Sequence, residues 1–324
     1  MEAVVLAGGY ATRMWPITRH RPKMFLPVGD QTVIDGVFAD LEADDRVEAV
    51  YVSTNERFAD EFESYLADSA FEKPAVSVED TTAESEKFGV VGALEQLIDR
   101  EGVDDDLLVV AGDNMLSFDL AEFADFFERK ETPALAAYDV GDRERAKSYG
   151  LVELDGTEVV DFQEKPADPN STLVSIGCYV FPQETLPSFD TYLANDNNPD
   201  EPGWFVQWLQ QRQGVDAFTF DGAWYDIGTA DSYLDAVGYA LDGGTLVADD
   251  ATVTDSQLGE NVHVMAGATV ESATLSNTVV FPDATVRDAT LSRSVVDTEA
   301  SAVGVELSGS LLGQHTEIDG SGRE

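Results

Sequence analysis

The sequence predicts an α/β chain in two parts: an open sheet covered by helices, then a parallel β-helix of the hexapeptide type. Three observations lead there. From residue 2 to about 130, short apolar runs alternate with segments of helical periodicity. From Pro133 to Phe181 extended runs dominate. After Asp242-Gly243-Gly244 the composition turns small, polar and β-branched, and it repeats. Strand alternating with helix argues for a parallel sheet buried on both faces.

Taken in order, Glu2–Leu6 is a short apolar strand that runs into Gly8-Gly9. Val33, Ile34, Val37, Phe38 and Leu41 then recur at helical spacing. Val47–Ser53 reads as a strand, Phe58–Leu66 as a helix and Ala75–Val78 as a strand. Val91, Leu94 and Ile98 mark a further helix. Leu107–Ala111 is a strongly apolar strand before Gly112-Asp113-Asn114, and Leu120, Phe123 and Phe127 mark the helix after it. Ala134–Val140, Gly150–Leu154, Val159–Gln163 and Val174–Phe181 are extended; Leu186–Leu193, Phe205–Arg212 and Ala230–Leu241 are helical.

Beyond the glycine hinge, Ala251-Thr-Val253, Ala268-Thr-Val270 and Ala284-Thr-Val286 line up, with Ala300-Ser-Ala302 as a degenerate copy, at offsets of 17, 16 and 16 residues. Leu258, Leu275, Leu291 and Leu307 agree, as do Val264, Val280, Val296 and Leu312. Apolar positions fall every five or six residues within each period, which is the signature of coils whose inward residues stack on their own copies. The implied division is residues 1–243 as the α/β part and 244–320 as the β-helix.

The chain of 324 residues carries 63 acidic and 19 basic side chains, a net charge of −44, and only six of the cations are lysine. A hydrophobic fraction of 43% is ordinary for a folded protein. The charge excludes a basic surface built for nucleic acid or an anionic membrane. Self-repulsion on this scale destabilises a compact chain in dilute buffer, and molar salt screens it. The expectation is therefore the cytoplasm of an extreme halophile. Cys178 is the only cysteine, so no intrachain disulfide forms. MEAVVLAGGYATR lacks the basic start of a signal peptide, and no stretch approaches the roughly 20 apolar residues of a membrane span.

Residues 10–29 hold Arg13, Arg19, Arg21 and Lys23 and no acid. A cation island in so acidic a chain implies a local anion, and Gly8-Gly9 offers backbone N–H groups that suit phosphate. The loop is neither Gly-x-x-x-x-Gly-Lys-Ser/Thr nor Gly-x-Gly-x-x-Gly, which leaves an oxidoreductase unsupported. Asp113 follows a buried strand at the sheet edge where α/β proteins bind ligands. Asp226 sits in the aromatic turn Trp224–Thr229. Two hard oxygen donors beside phosphates describe a Mg²⁺ site. Lys165 is notable as a lysine at a strand terminus in a chain that avoids lysine.

Leu6-Ala-Gly-Gly-Tyr-Ala-Thr-Arg13, Pro16, Arg21-Pro-Lys23 and Leu26-Pro27 together resemble the signature of sugar-1-phosphate nucleotidylyltransferases, nearest to glucose-1-phosphate thymidylyl- and uridylyltransferases. Ala111–Asn114, Ser148–Gly150, Glu164–Pro166, Ser171–Tyr179 and Trp224–Thr229 match in the same order. The resemblance implies a Rossmann-like mixed sheet, a left-handed β-helix appendage and a Mg²⁺-dependent transfer. A sugar-1-phosphate oxygen attacks the α-phosphorus of a nucleoside triphosphate, forming an NDP-sugar and releasing pyrophosphate. By motif, Arg13 and Lys23 would meet the triphosphate, and Lys165 the sugar phosphate. Leu6, Gly8, Gly9 and Gly89 would border the nucleotide; Tyr149, Gly150, Glu164 and Gly177 would face the sugar; Asp113 and Asp226 would hold Mg²⁺.

Three departures from the family pattern stand out. Ala11 replaces a glycine, the stretch Glu84–Leu94 lacks Gly-Leu-Ala-Gln, and Gly203–Trp208 replaces an acidic segment near the sugar. Gly89 and Gly92 instead resemble the pattern of mannose-1-phosphate guanylyltransferases, which keeps a guanine nucleotide open beside dTTP or UTP. A bifunctional chain would need a base on the β-helix, where only His263 and His315 are available. A non-catalytic nucleotide-sugar-binding subunit is the reading from another class. Short polar outer faces and a terminal coil ending near Ile318 point to a homo-oligomer.

Overall fold

The computed structural model describes residues 1–79 and 88–320. Part of the Glu84–Leu94 stretch and residues 321–324 lie outside them. The chain forms two compact units: Met1–Gly9 with Ile34–Trp224, and Tyr10–Val33 with Tyr225–Glu324.

The first unit holds the strands β1 (Glu2–Leu6), β2 (Ala49–Asn55), β3 (Pro74–Glu79), β4 (Leu107–Ala111) and β5 (Ala134–Asp139). It continues with β6 (Gly150–Asp155), β7 (Glu158–Glu164), β8 (Leu173–Phe181) and β9 (Asp216–Thr219). These nine make one mixed sheet in the order β3-β2-β1-β4-β8-β5-β9-β7-β6. The first four are parallel, and β8 enters antiparallel between β4 and β5. The predicted Rossmann-like α/β class is observed. Leu107–Val110 of β4 are buried throughout because helices cover both faces.

The helices are α1 (Val33–Ala43), α2 (Ala59–Asp68), α3 (Val90–Glu101), α4 (Leu120–Lys130) and α5 (Arg143–Ala146). They continue with α6 (Pro187–Leu193), α7 (Pro202–Gln210) and α8 (Ala230–Leu241). In α4, Asp119 caps the start by accepting from the Ala121 N–H at 2.8 Å, and Phe123, Ala124 and Phe127 fill its buried face. Val91, Leu94 and Leu97 of α3 join Phe189 of α6 and Phe205 of α7 in the core. Phe205 stacks on Phe189 with centroids 4.2 Å apart, and burial of such a ring contributes about 2 kcal/mol. Of the aromatic residues in Gly203–Trp208, Phe205 is therefore core, whereas Trp204 is exposed. Strand β9 was not anticipated: its four residues carry no long apolar run, and they are held by β5 on one side and β7 on the other. Among the described residues no helix is long and apolar enough to cross a membrane.

In the second unit the repeat folds as a parallel β-helix. Each column stacks as the spacing requires. Val253 pairs with Val270, Val270 with Val286 and Val286 with Ala302. Leu258, Leu275, Leu291 and Leu307 form a second column. Val264, Val280, Val296 and Leu312 form a third. The last coil pairs Ala302 with Ile318. His263 is buried within a coil strand, where burial lowers its pKa, and among the described residues its Nδ1 has no hydrogen-bond partner. That placement gives a proton-transferring base no access to a substrate.

Candidate active site

In the first unit, Leu6 ends β1 in register with Ala111 on β4 and Ser53 on β2. Two loops therefore leave adjacent strand ends, one carrying Gly8-Gly9 and the other Asp113. Chain order reverses here, since β2 and β3 lie on one side of β1 and β4 on the other, and such a switch point opens a crevice. The Gly112 N–H donates to the Leu6 carbonyl at 3.0 Å, holding the loops together. Asn55 Nδ2 donates to the Gly8 carbonyl at 2.9 Å. A Cβ on Gly8 would lie 2.8 Å from Glu79 Oε1, whereas one on Gly9 would meet nothing within 4 Å among the described residues. Glu79 is buried, and burial raises its pKa although it accepts from Ser53 Oγ at 2.9 Å. Sequence reasoning missed Glu79, because an acid closing a short strand carries no signal of burial.

Asp113 is half-buried and accepts from Asn114 Nδ2 at 3.1 Å. Asn114 is buried and accepts in turn from Trp224 Nε1. Tyr149 stands edge-on to the Trp224 ring at 4.9 Å, and Arg145 lies 5.6 Å from the same ring. Contacts thus run without a break from Asp113 to Tyr149. Gly177, with φ +73° in β8, is packed so that a Cβ would lie 3.1 Å from the Ala111 Cβ.

Strands β6 and β7 pair with Gly150 opposite Glu164. The Lys165 N–H donates to the Tyr149 carbonyl at 3.1 Å. The Glu164 carboxyl fills space that only glycine leaves: a Cβ on Gly150 would lie 2.9 Å from its Oε2, and one on Gly203 would overlap it. Burial pushes the Glu164 pKa up to about 7; Lys165 opposes the shift and Glu201 adds to it. The Lys165 ammonium pairs with Glu201, and both side chains are about two-fifths exposed (43% and 41%). Glu201 and Arg145 are further groups that sequence reasoning did not select. Gly89, at φ +77°, starts α3 pressed against Pro199, whose carbonyl accepts from the Val91 N–H at 2.9 Å.

In the second unit, Ala11 takes a left-handed conformation with φ 49° and ψ 38°. A glycine would adopt it without strain, and alanine at this position costs about 1 kcal/mol. Thr18 Oγ1 steadies the turn by donating to the Ala11 carbonyl at 2.8 Å. Arg13 lies in the single turn Thr12–Met14, with its side chain exposed. Its guanidinium is seated beside Gly228, where a Cβ would lie 3.0 Å from Nη2 and 3.4 Å from Asp226 Oδ1. The structure thus brings Arg13 and Asp226 together. Lys23 is buried to 9% exposure, in the turn Lys23–Phe25. Arg21, counted among the cations of an anion site, is turned elsewhere: it pairs with Asp297 at 2.5 Å.

Among the described residues no group of three or more His, Cys, Asp or Glu side chains could hold a metal by itself. Asp113 in the first unit and Asp226 in the second are each a hard oxygen donor of the kind Mg²⁺ takes. That ion takes one or two carboxylates and completes its shell with water and phosphate oxygens.

A sequence profile described as Nucleotidyl transferase matches residues 2–242. A candidate mannose-1-phosphate guanyltransferase of Sulfolobus acidocaldarius is 31% identical over 72% of this chain and 61% of its own length. The bifunctional protein GlmU of Methanocaldococcus jannaschii is 26% identical over 75% of this chain and 55% of its own. The chain thus spans little more than half the length of these two relatives. A crystal structure of a UDP-glucose pyrophosphorylase complexed with UDP-glucose superposes with a TM-score of 0.62 at 22% identity, over 74% of this chain and 97% of that one. That likeness shows the shared fold.

Proposed function

We propose that this chain, which belongs to the nucleotidyl transferase family, is a Mg²⁺-dependent sugar-1-phosphate nucleotidylyltransferase. The observation that carries the reading is the register of Leu6 with Ala111, which sets the Gly8-Gly9 loop and Asp113 at adjacent strand ends. A sugar-1-phosphate oxygen forms the new bond to the α-phosphorus. The bond between that phosphorus and the β-bridging oxygen breaks, and pyrophosphate leaves with the electron pair. The sugar phosphate arrives ionised, so no general base is required. Catalysis is then positioning and neutralisation of phosphoryl charge.

Arg13 presents a planar fork to triphosphate oxygens, and Gly228 and Asp226 fix where that fork lies. Lys23 adds a point charge from a shielded position. Gly9 leaves its backbone open to a phosphate, because among the described residues nothing lies where a side chain would stand. Lys165 would exchange Glu201 for the phosphate of the sugar substrate. Glu164, Gly150, Tyr149 and Gly177 would line the sugar. Mg²⁺ would be held by Asp113 and Asp226 and would offset negative charge on the reacting phosphates. The acidic surface suits molar salt, and the β-helix is proposed as the module through which copies of the chain assemble.

The sequence favours dTTP or UTP with glucose 1-phosphate. Glu79 supports a second reading. A carboxylate beside Gly8 can accept two neighbouring N–H groups, which a guanine edge offers and a uracil or thymine edge does not. The test is pyrophosphate release by purified protein in molar KCl with Mg²⁺, for each nucleoside triphosphate against glucose 1-phosphate and mannose 1-phosphate. No release with any pair would refute the transferase. Full activity after chelation, or in Asp113→Asn, would refute the metal assignment.

A further inference from the structure

Three equivalent positions at one corner of the β-helix are Phe281, Asp297 and Gly313, each 16 residues after the last. They follow Val280, Val296 and Leu312 of one inward column, and their backbones are linked. The Phe281 N–H donates to Val296 and the Asp297 N–H to Leu312. The inward columns repeat like residues, but this corner holds a ring, an acid and a glycine. Each of the three meets the loop Tyr10–Val33 of the same unit.

Asp297 Oδ1 accepts from Arg21 Nη2 at 2.5 Å, and the Asp297 side chain is only 2% exposed. The Arg21 guanidinium also lies 4.9 Å from the Phe281 ring centroid. Gly313 receives Pro16: a Cβ there would stand 2.6 Å from the Pro16 Cβ. At the far end of the loop, Tyr233 of α8 donates its buried hydroxyl to the Pro27 carbonyl at 2.8 Å. Helix α8 is itself pinned to a coil by Arg293, which pairs with Asp231 at 2.8 Å and Asp235 at 3.2 Å.

We propose that this corner of the β-helix is a brace for the loop, with Arg21 and Asp297 as positioning residues for Arg13 and Lys23. The inference rests on the reading that the loop receives a nucleoside triphosphate. A guanidinium held by its edge on a carboxylate and by its face on a ring is fixed in orientation as well as place. A carboxylate buried this deeply is strongly unfavourable without its partner, so the contact persists rather than frays. The loop's own hydrogen bonds close single turns at Thr12–Met14 and Lys23–Phe25, tie Thr18 Oγ1 to the Ala11 carbonyl and pair Pro27–Val28 with Gln31–Thr32, and its contacts to the coils fall at Pro16 and Arg21. Without the brace, a smaller fraction of molecules holds the loop ready, and apparent nucleotide affinity falls by that fraction. The sugar phosphate does not depend on this loop, so its KM stays.

The test uses the full chain in molar KCl. Asp297→Asn is expected to raise the KM for the triphosphate about tenfold, with the KM for the sugar phosphate within about twofold. Amide hydrogen exchange should quicken across residues 10–33 and stay at the wild-type level in the coils. Arg21→Lys keeps the charge and loses the fork; it should move both readouts the same way, by about threefold in KM, and it carries the test if Asp297→Asn does not fold. Unchanged exchange in the loop would overturn the proposal. So would protection lost throughout the coils with both KM values raised together. If the wild type turns over no substrate pair, the transferase reading fails, and loop exchange still decides the brace.

Discussion

Replacing Glu164 by glutamine should stabilise the fold by an amount that grows with pH. The carboxyl sits in the space left by Gly150 and Gly203, and burial pushes its pKa from 4.5 up to about 7. Below pH 4.5 the group is protonated in the folded and unfolded chain alike, and it contributes no difference. Between 4.5 and 7 the folded state keeps a proton that the unfolded state has lost, so stability falls as pH rises. Above 7 both states are ionised, and the full penalty of roughly 3 kcal/mol applies. Glutamine has the same shape and never ionises. The stability difference between Glu164→Gln and wild type should therefore climb from near zero at pH 4 to roughly 3 kcal/mol at pH 8. Urea unfolding at fixed molar KCl measures it, because salt screens the exposed acids that both proteins share and leaves the burial term. The same ionisation should appear in function: the substrate's own phosphate titrates at about pH 6 for both proteins, and the wild-type KM for sugar phosphate should rise more steeply than the variant's as pH drops through about 7. A difference in stability that does not change with pH, or one larger at pH 5 than at pH 8, would refute the reasoning.

Three further outcomes are expected. Gly228→Ala places a methyl 3.0 Å from Arg13 Nη2, so kcat/KM for the triphosphate should fall about tenfold while the thermal midpoint barely moves; steady-state kinetics beside a melting curve separates the two. Gly89→Ala meets both the Pro199 carbonyl and a φ of +77°, and should lose about 2–3 kcal/mol of stability by urea unfolding; a loss under about 0.5 kcal/mol would count against the packing described. Ala11→Gly should instead gain about 0.5–1 kcal/mol by relieving a left-handed alanine, and an unchanged unfolding midpoint would show the strain is not there.

The sequence by itself determined most of the scaffold. The β-helix was legible because a parallel stack locks each inward residue onto its own copy, so the repeat from Ala251 to Ala302 is also the list of contacts. The alternating strands and helices were legible because burial on both faces demands unbroken apolar runs such as Leu107–Ala111. Strand β9 escaped, since four residues held by their neighbours show no period of their own. Residue types also marked Arg13, Lys23, Asp113 and Asp226 as chemistry, because cations are scarce in this chain and loops at strand ends are where ligands bind. Only the tertiary structure decided what those groups face. It turned Arg21 away to Asp297, 276 residues along the chain, and set Glu79 against Gly8. It also lifted the Glu164 carboxyl to about 7. The physical reason is common to all three: a charge takes its partner and its solvation from whatever the fold packs around it, and neither leaves a period or a motif in the sequence.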